Sequence, residues 1–196
     1  SETKLNKNNL DNTWSWVLNP ISWPVNPVQW VSAYYKDDEY KELFWADHNA
    51  IDIKVPQWTS IESPMDWYVV YLRKPTDPDY SYVAIKHYDW FLTVYWHLSE
   101  IMVEQYEFVE KWQVFAKSGW EYWTYWAWYV TTWPHLHFEV FKDKEYIDPF
   151  SVLDLSYIKY QSLPSKYREK YYLDFKAKNW YNYSEASSNS KLFKLE

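Results

Sequence analysis

Apolar residues along this chain recur mainly in short runs. Val28–Tyr35, Ile51–Val55, Trp67–Leu72, Tyr82–His87, Leu92–Tyr95, Gln113–Ala116 and Leu136–Phe141 are rich in Val, Ile, Tyr, Phe and Thr. Such residues suit a pleated, half-buried surface, so the runs read as β-strands. Turn or loop residues separate them and few helical stripes interrupt them, which predicts a mainly β, antiparallel domain. The charged stretch Lys36–Asp47 reads as a loop. One segment has a helical period: in residues 165–178, Tyr167, Tyr171 and Phe175 stand at i, i+4 and i+8, which predicts a short amphipathic helix. Residues 1–27 are polar and then broken by Pro20, Pro24 and Pro27, a tail and lead-in. Residues 184–196 are rich in Ser, Asn and Lys, the composition of a loose tail. The expected organisation is a lead-in over 1–27, a β domain over 28–155, and a C-terminal extension over 156–196 with a short helix.

Two turns carry physical information. Asp89-Trp90 separates two predicted strands, where a tight hairpin favours Asp-Gly because its second residue takes φ > 0. A bulky side chain is strained there. Asp66-Trp67, just before Tyr68–Leu72, reads the same way. Composition sharpens the point. The 196 residues hold 1 Gly and 16 Trp, whereas average usage predicts roughly 14 Gly. Trp stands where backbone chemistry wants Gly, as though glycines were written as tryptophans.

The other totals narrow the function. Lys+Arg is 20 and Asp+Glu is 27, a net charge of −7. An acidic chain without basic clusters is a poor binder of nucleic acid or anionic membrane. No apolar stretch approaches bilayer-spanning length. No signal peptide is read, but the chain starts at Ser1 rather than Met, so a trimmed N-terminus is expected. With no Cys, any metal ligands must be His, Asp or Glu.

The five His are His48, His87, His97, His135 and His137. Four sit in three motifs: His48-Asn49-Ala50-Ile51-Asp52, Tyr95-Trp96-His97-Leu98 and Pro134-His135-Leu136-His137-Phe138-Glu139-Val140. In a strand, His-X-His puts both imidazoles on one face and turns Leu136 and Phe138 to the other. Such a pair holds a metal, or one ring holds it while the other handles protons; the plain alternative is two half-exposed polar residues. The upstream H-x-x-x-D favours the metal. Two His and one carboxylate leave a fourth zinc position for water, the arrangement of a catalytic site. His87 ends a strand and reads as structural or exposed.

These motifs, in this order, resemble the M23 family of zinc peptidases, the lysostaphin/LytM-like peptidoglycan endopeptidases. The likeness runs from about Val31 to Leu153. Val55-Pro56-Gln57-Trp58-Thr59, Asp66-Trp67-Tyr68-Val69-Val70, Lys111-Trp112-Gln113 and Ile147-Asp148-Pro149 resemble further family segments. The departures are systematic: Trp58, Trp67, Trp90, Trp96, Trp112 and Trp133 stand where the family typically has Gly. Segment 118–133 would read as a Gly-rich loop if its Trp were Gly. UGA codons decoded as Trp in place of Gly would produce this pattern; real Trp enrichment on a sugar-binding surface is the alternative. Tyr106 and Ala50 also replace common family glycines, as genuine substitutions.

The resemblance implies that His48, Asp52 and His137 bind Zn²⁺, and that His97 and His135 sit beside the attacking water as base, acid or oxyanion partner, with the choice between them open. It implies a β-sheet groove with zinc at its floor and 118–133 as one wall. It implies peptidoglycan peptide as substrate, and a cell-envelope or extracellular location from that substrate class. No H-E-x-x-H helix is present. One rival is a catalytically inactive M23-like protein that binds peptidoglycan or regulates another hydrolase. The other is an aromatic carbohydrate-binding module.

Overall fold

A computed structural model of the chain describes residues 21–28, 30–74, 81–119, 134–159 and 163–176. They divide into two compact units, the described residues of Ile21–Pro149 and those from Phe150 onward. The first is built on antiparallel strands: β1 Trp30–Ala33, β2 Ile51–Lys54, β3 Ser60–Glu62, β4 Trp67–Arg73, β5 Tyr82–His87, β6 Phe91–Trp96, β7 Leu98–Ile101, β8 Phe108–Val109, β9 Val114–Ser118, β10 His135–Lys142 and β11 Glu145–Ile147. The larger sheet runs β1-β2-β10-β6-β5-β4-β8, with β11 also paired to β10, and a smaller one runs β3-β9-β7. The mainly β, antiparallel expectation holds.

Alternation fixes which side of the larger sheet is core. Leu136, Phe138 and Val140 of β10 are buried, as are Ile51 and Ile53 of β2 and Tyr95 of β6. Tyr95 packs at ring-centroid distances of 5.3 Å from Phe138 and 4.8 Å from Phe115 of β9, so the two sheets share this core. The other face of β10 and β2 carries His135, His137, Glu139 and Asp52. Because side chains alternate along a strand, the core residues dictate where these polar ones point.

The structure corrects the reading in places. Lys36–Asp47 contains a helix, α1, Asp38–Phe44. Its N-cap Asp37 accepts from Glu39 N, and Trp45 closes it in a left-handed conformation. The helix buries none of its residues, so it carries no apolar stripe that a sequence reading could find. The predicted Asp89-Trp90 hairpin is a 3-10 turn, Tyr88–Trp90. β3, β7, β8 and β11 have two to four residues each, too short for periodicity to reveal. In the second unit a 3-10 turn at Ser165–Tyr167 leads into helix α2, residues 168–176. Tyr167 is buried against Phe150, with ring centroids 4.6 Å apart, but Phe175 is half exposed. The buried residue on α2 is Asp174, which accepts from Leu155 N and Lys170 Nζ. Residues 1–20 and 177–196 lie outside the described residues, and with them most of the predicted lead-in 1–27 and all of the predicted tail 184–196, as does nearly all of 118–133; within the rest of the lead-in, Ile21, Trp23 and Val25 are buried.

Trp58, Trp67, Trp90 and Trp112 have φ of 64°, 147°, 63° and 71°. Trp96 differs: it lies in β6 and is not in the left-handed region. Trp133 lies outside the described residues. Trp45 adds a further case at 56°, and Tyr106 sits at 72°. The one glycine is also where a side chain cannot go. A Cβ on Gly119 would fall 2.9 Å from Ser99 N and 3.1 Å from His97 O.

His87 proves buried and structural. Its Nδ1–H donates to Asp66 O at 3.1 Å, and Nε2 accepts from Thr93 Oγ1 at 2.6 Å, which in turn takes the Tyr95 hydroxyl proton at 2.8 Å. This chain needs neutral imidazole. Burial pushes His87 down from 6.5 to about 4, against the smaller upward pull of Asp66.

Two predictions follow from these elements. Trp58 is 65% exposed and left-handed, so Trp58→Gly relieves about 1 kcal/mol of backbone strain; a lower denaturation midpoint for the glycine variant contradicts this. The unfolded chain binds a proton at His87 near pH 6.5, while the folded chain resists until about pH 4. Stability from this site is therefore full above 6.5 and falls as pH drops toward 4. In urea titrations across that window, His87→Gln should show a shallower acid decline than the unmodified chain; parallel curves count against the assignment.

Candidate metal centre

Three elements converge on the polar face of the larger sheet. His48 precedes β2, where its backbone carbonyl accepts from Lys36 N at 2.7 Å. Asp52 lies within β2 and His137 within β10, and the two are register partners. Sequence alternation on each strand and their antiparallel pairing thus bring residues 85 apart into contact. His48 Nε2 lies 3.2 Å from Asp52 Oδ1, His137 Nδ1 lies 2.8 Å from the same oxygen, and the two nitrogens are 3.4 Å apart.

The surrounding bonds decide which lone pairs face inward. His48 Nδ1–H donates to Tyr34 O at 2.9 Å, and Tyr40 of α1 stacks on the ring at 4.3 Å. His137 Nε2–H points to Glu139 Oε1 at 3.4 Å. With a metal bound, the unprotonated nitrogen of each ring would face the Asp52 carboxylate. Three acceptors this close repel one another unless a cation lies among them. Their ligand atoms all fall within 4.8 Å, and the ligands of a tetrahedral zinc at about 2.0–2.1 Å stand roughly 3.3 Å from each other. Borderline nitrogen and carboxylate donors suit zinc, so the residues present fit that ion.

The same demand for positive charge shows in proton affinities. Burial pushes His137 down, but hydrogen bonds to Asp52 and Glu139 outweigh it and bring it up to about 9. Burial raises Asp52, yet the bonds from His137 and His48 and the neighbouring rings hold its carboxyl well below the usual range. In this state a proton shared with Asp52 does what a metal would do more strongly.

His135 and His97 stand beside the three. His135 Nε2 is 3.8 Å from Asp52 Oδ1. The His97 ring lies 4.9 Å from His135 and 5.7 Å from His137. Burial first, then the adjacent His135 and His137, keep His97 well below 6.5, hence neutral. His97 follows β6 with φ 64°. Its N–H donates to Ser81 O at 3.1 Å and its carbonyl accepts from Gly119 N at 2.7 Å. The structure thus brings together His48, Asp52, His97, His135 and His137, and leaves His87 in the core. Sequence reasoning named no role for Glu139, Tyr34 or Tyr40. Glu139 had a signal, since two positions beyond His137 on a strand is the same face.

A β fold whose polar face gathers two imidazoles and a carboxylate, with two more His alongside, is that of a metallopeptidase. The family model described as peptidase family M23 matches residues 46–149, more than half of the chain, and the chain belongs to that family. A curated protein of Haemophilus influenzae described as an uncharacterized metalloprotease is 30% identical over 105 residues, covering 54% of this chain and 21% of that protein. A zinc-containing peptidase from Vibrio cholerae is 25% identical with a TM-score of 0.55, covering 67% of this chain and 39% of that one. The chain thus spans about a fifth and two fifths of these relatives' lengths. A chain of the SpoIIQ–SpoIIIAH pore-forming complex is 26% identical with a TM-score of 0.54, covering 69% of this chain and 92% of its own.

Zinc added at a hundredfold excess over its Kd should stabilise the zinc-stripped protein by about 2.7 kcal/mol. Thermal melts with and without zinc check this, and His137→Ala and Asp52→Asn should each remove the response. A response that survives both places the metal elsewhere.

Proposed function

We propose that this chain is a zinc-dependent endopeptidase that hydrolyses peptide cross-links or stems of bacterial peptidoglycan. The observation that carries the reading is the convergence of His48, Asp52 and His137 with two non-ligand imidazoles at one end of the cluster. In this reading His48 Nε2, an Asp52 oxygen and His137 Nδ1 hold the ion. Zinc there supplies Lewis acidity that polarises the scissile carbonyl and makes water a nucleophile near neutral pH.

The chain's own residues do the rest. Tyr34 O and Glu139 fix the tautomers of His48 and His137, so that each presents a lone pair. His97 and His135 flank the place where the peptide carbonyl sits. A neutral ring accepts the proton of the attacking water, and the resulting imidazolium returns it to the departing amine. The second ring hydrogen-bonds the developing oxyanion. Burial and the neighbouring rings suit His97 to this work by keeping it unprotonated. A cell-envelope or extracellular location follows from the substrate.

A second reading has a specific support. The likeness to a chain of the SpoIIQ–SpoIIIAH pore-forming complex extends over nearly all of that chain, and a member of this fold that assembles with a partner need not cleave. Under that reading this chain binds peptidoglycan or regulates another hydrolase.

The deciding measurement is release of peptide fragments from purified peptidoglycan, with and without EDTA. Release that EDTA stops and zinc restores supports the peptidase. His97→Ala should keep its zinc while losing turnover by roughly 10²–10⁴-fold, and His137→Ala should lose both. Full activity in His97→Ala contradicts its role. Zinc binding without release from any tested peptidoglycan favours the second reading.

A further inference from the structure

The metal cluster is one end of a longer alignment. Asp52 of β2 is the register partner of His137 on β10. His137 is also the partner of Trp96 on β6, Trp96 of Tyr82 on β5, and Tyr82 of Arg73 on β4. Directly opposed residues in antiparallel pairs share a face. The row Asp52–His137–Trp96–Tyr82–Arg73 therefore crosses five strands on the polar face of the sheet. Its middle is a half-buried aromatic pair: the Trp96 and Tyr82 rings lie 4.7 Å apart, inclined by 40°. Its far end is a cation, the exposed Arg73. Three strand spacings separate Arg73 from His137, about 14 Å at the usual 4.7–4.9 Å per step. An extended peptide covers that distance in about four residues.

Each position has a distinct chemistry. The His/Asp end handles the scissile bond. An aromatic pair packs against whatever chain lies over it and reads little of its sequence, because a ring face offers no hydrogen-bond pattern. Discrimination falls to the end of the row. Arg is a planar fork matched to a carboxylate, which it takes through two parallel N–H···O bonds. Only two of the 20 basic residues are Arg, Arg73 and Arg168, and Arg73 is the one in line with the metal ligands. Lys86 shares the face two pairs further along β5 and extends the positive character, its Nζ 4.9 Å from the Trp90 ring.

We propose that this row is the substrate track and that Arg73 is its specificity residue, binding a carboxylate that the peptide carries about four residues from the scissile bond. The inference rests on the peptidase reading above and deepens it. Stem peptides of the wall carry such carboxylates, whereas bridges of neutral residues do not, so the track selects the stem.

The test uses the zinc-loaded protein and two synthetic peptides with a reduced, uncleavable bond at the scissile position. They differ in one group, a carboxylate or a carboxamide four residues from that bond. Calorimetric titration should show the unmodified protein binding the carboxylate peptide about tenfold more tightly, the scale of one charge-assisted hydrogen-bonded pair. Arg73→Leu should equalise the two peptides, and Arg73→Lys should recover part of the difference. Equal binding by the unmodified protein, absence of binding to both, or a preference that persists in Arg73→Leu overturns the proposal; persistence would point to another cation, such as Lys54 beside Asp52. Cleavage of the same sequences with an ordinary amide bond is scored separately. Its failure beside an intact carboxylate preference removes the peptidase reading and leaves the track as a binding site.

Discussion

Everything at the polar face depends on how β2 pairs with β10. The pairing sets Asp52 opposite His137 and His135 opposite Lys54, while Ile51, Ile53, Leu136 and Phe138 turn to the core. A slip of one residue would bury the imidazoles and expose the core side chains. The apolar positions therefore fix the register, and the polar cluster follows from it. The two strands are more than eighty residues apart in sequence, so the cluster exists only once the most distant part of this sheet has closed. Such non-local pairings carry a large entropic cost before their contacts form.

That dependence explains what could be read from the chain and what could not. The long strands were legible because β4, β5, β6 and β10 each hold at least six residues of β-prone sequence. The strands of the small sheet were mostly hidden, since β3 has three residues and β7 four. The helix Asp38–Phe44 was hidden for another reason: it packs no apolar face, and its evidence is a cap at Asp37. The five site residues were legible through H-x-x-x-D and H-x-H spacing together with the family resemblance. Their supports were not. Tyr34 acts through a backbone carbonyl, which no residue type announces, and Tyr40 reaches His48 from α1, a helix with no apolar stripe to reveal it.

Electrostatics ties the site to the fold. Asp52, His48 and His137 are held so close that the cluster needs a proton or a metal cation among them. The fold thereby builds in an affinity for positive charge. His87 shows the opposite use of burial. With its two nitrogens satisfied by Asp66 and Thr93, it is a neutral packing element, and its chemistry is spent on holding β5 against β6.

The position of His97 has a consequence for how this site tolerates change. Its place is set by main-chain bonds to Ser81 on one side and Gly119 on the other, and neither bond reads a side chain. Those bonds survive most side-chain changes, although Leu98 is held by the core and Trp96 packs on Tyr82. The exception is position 119, where any Cβ meets the backbone of Ser99 and His97 itself. In a lineage of such chains, variation would thus be nearly absent at a glycine far from this histidine in sequence, a residue with no chemistry of its own.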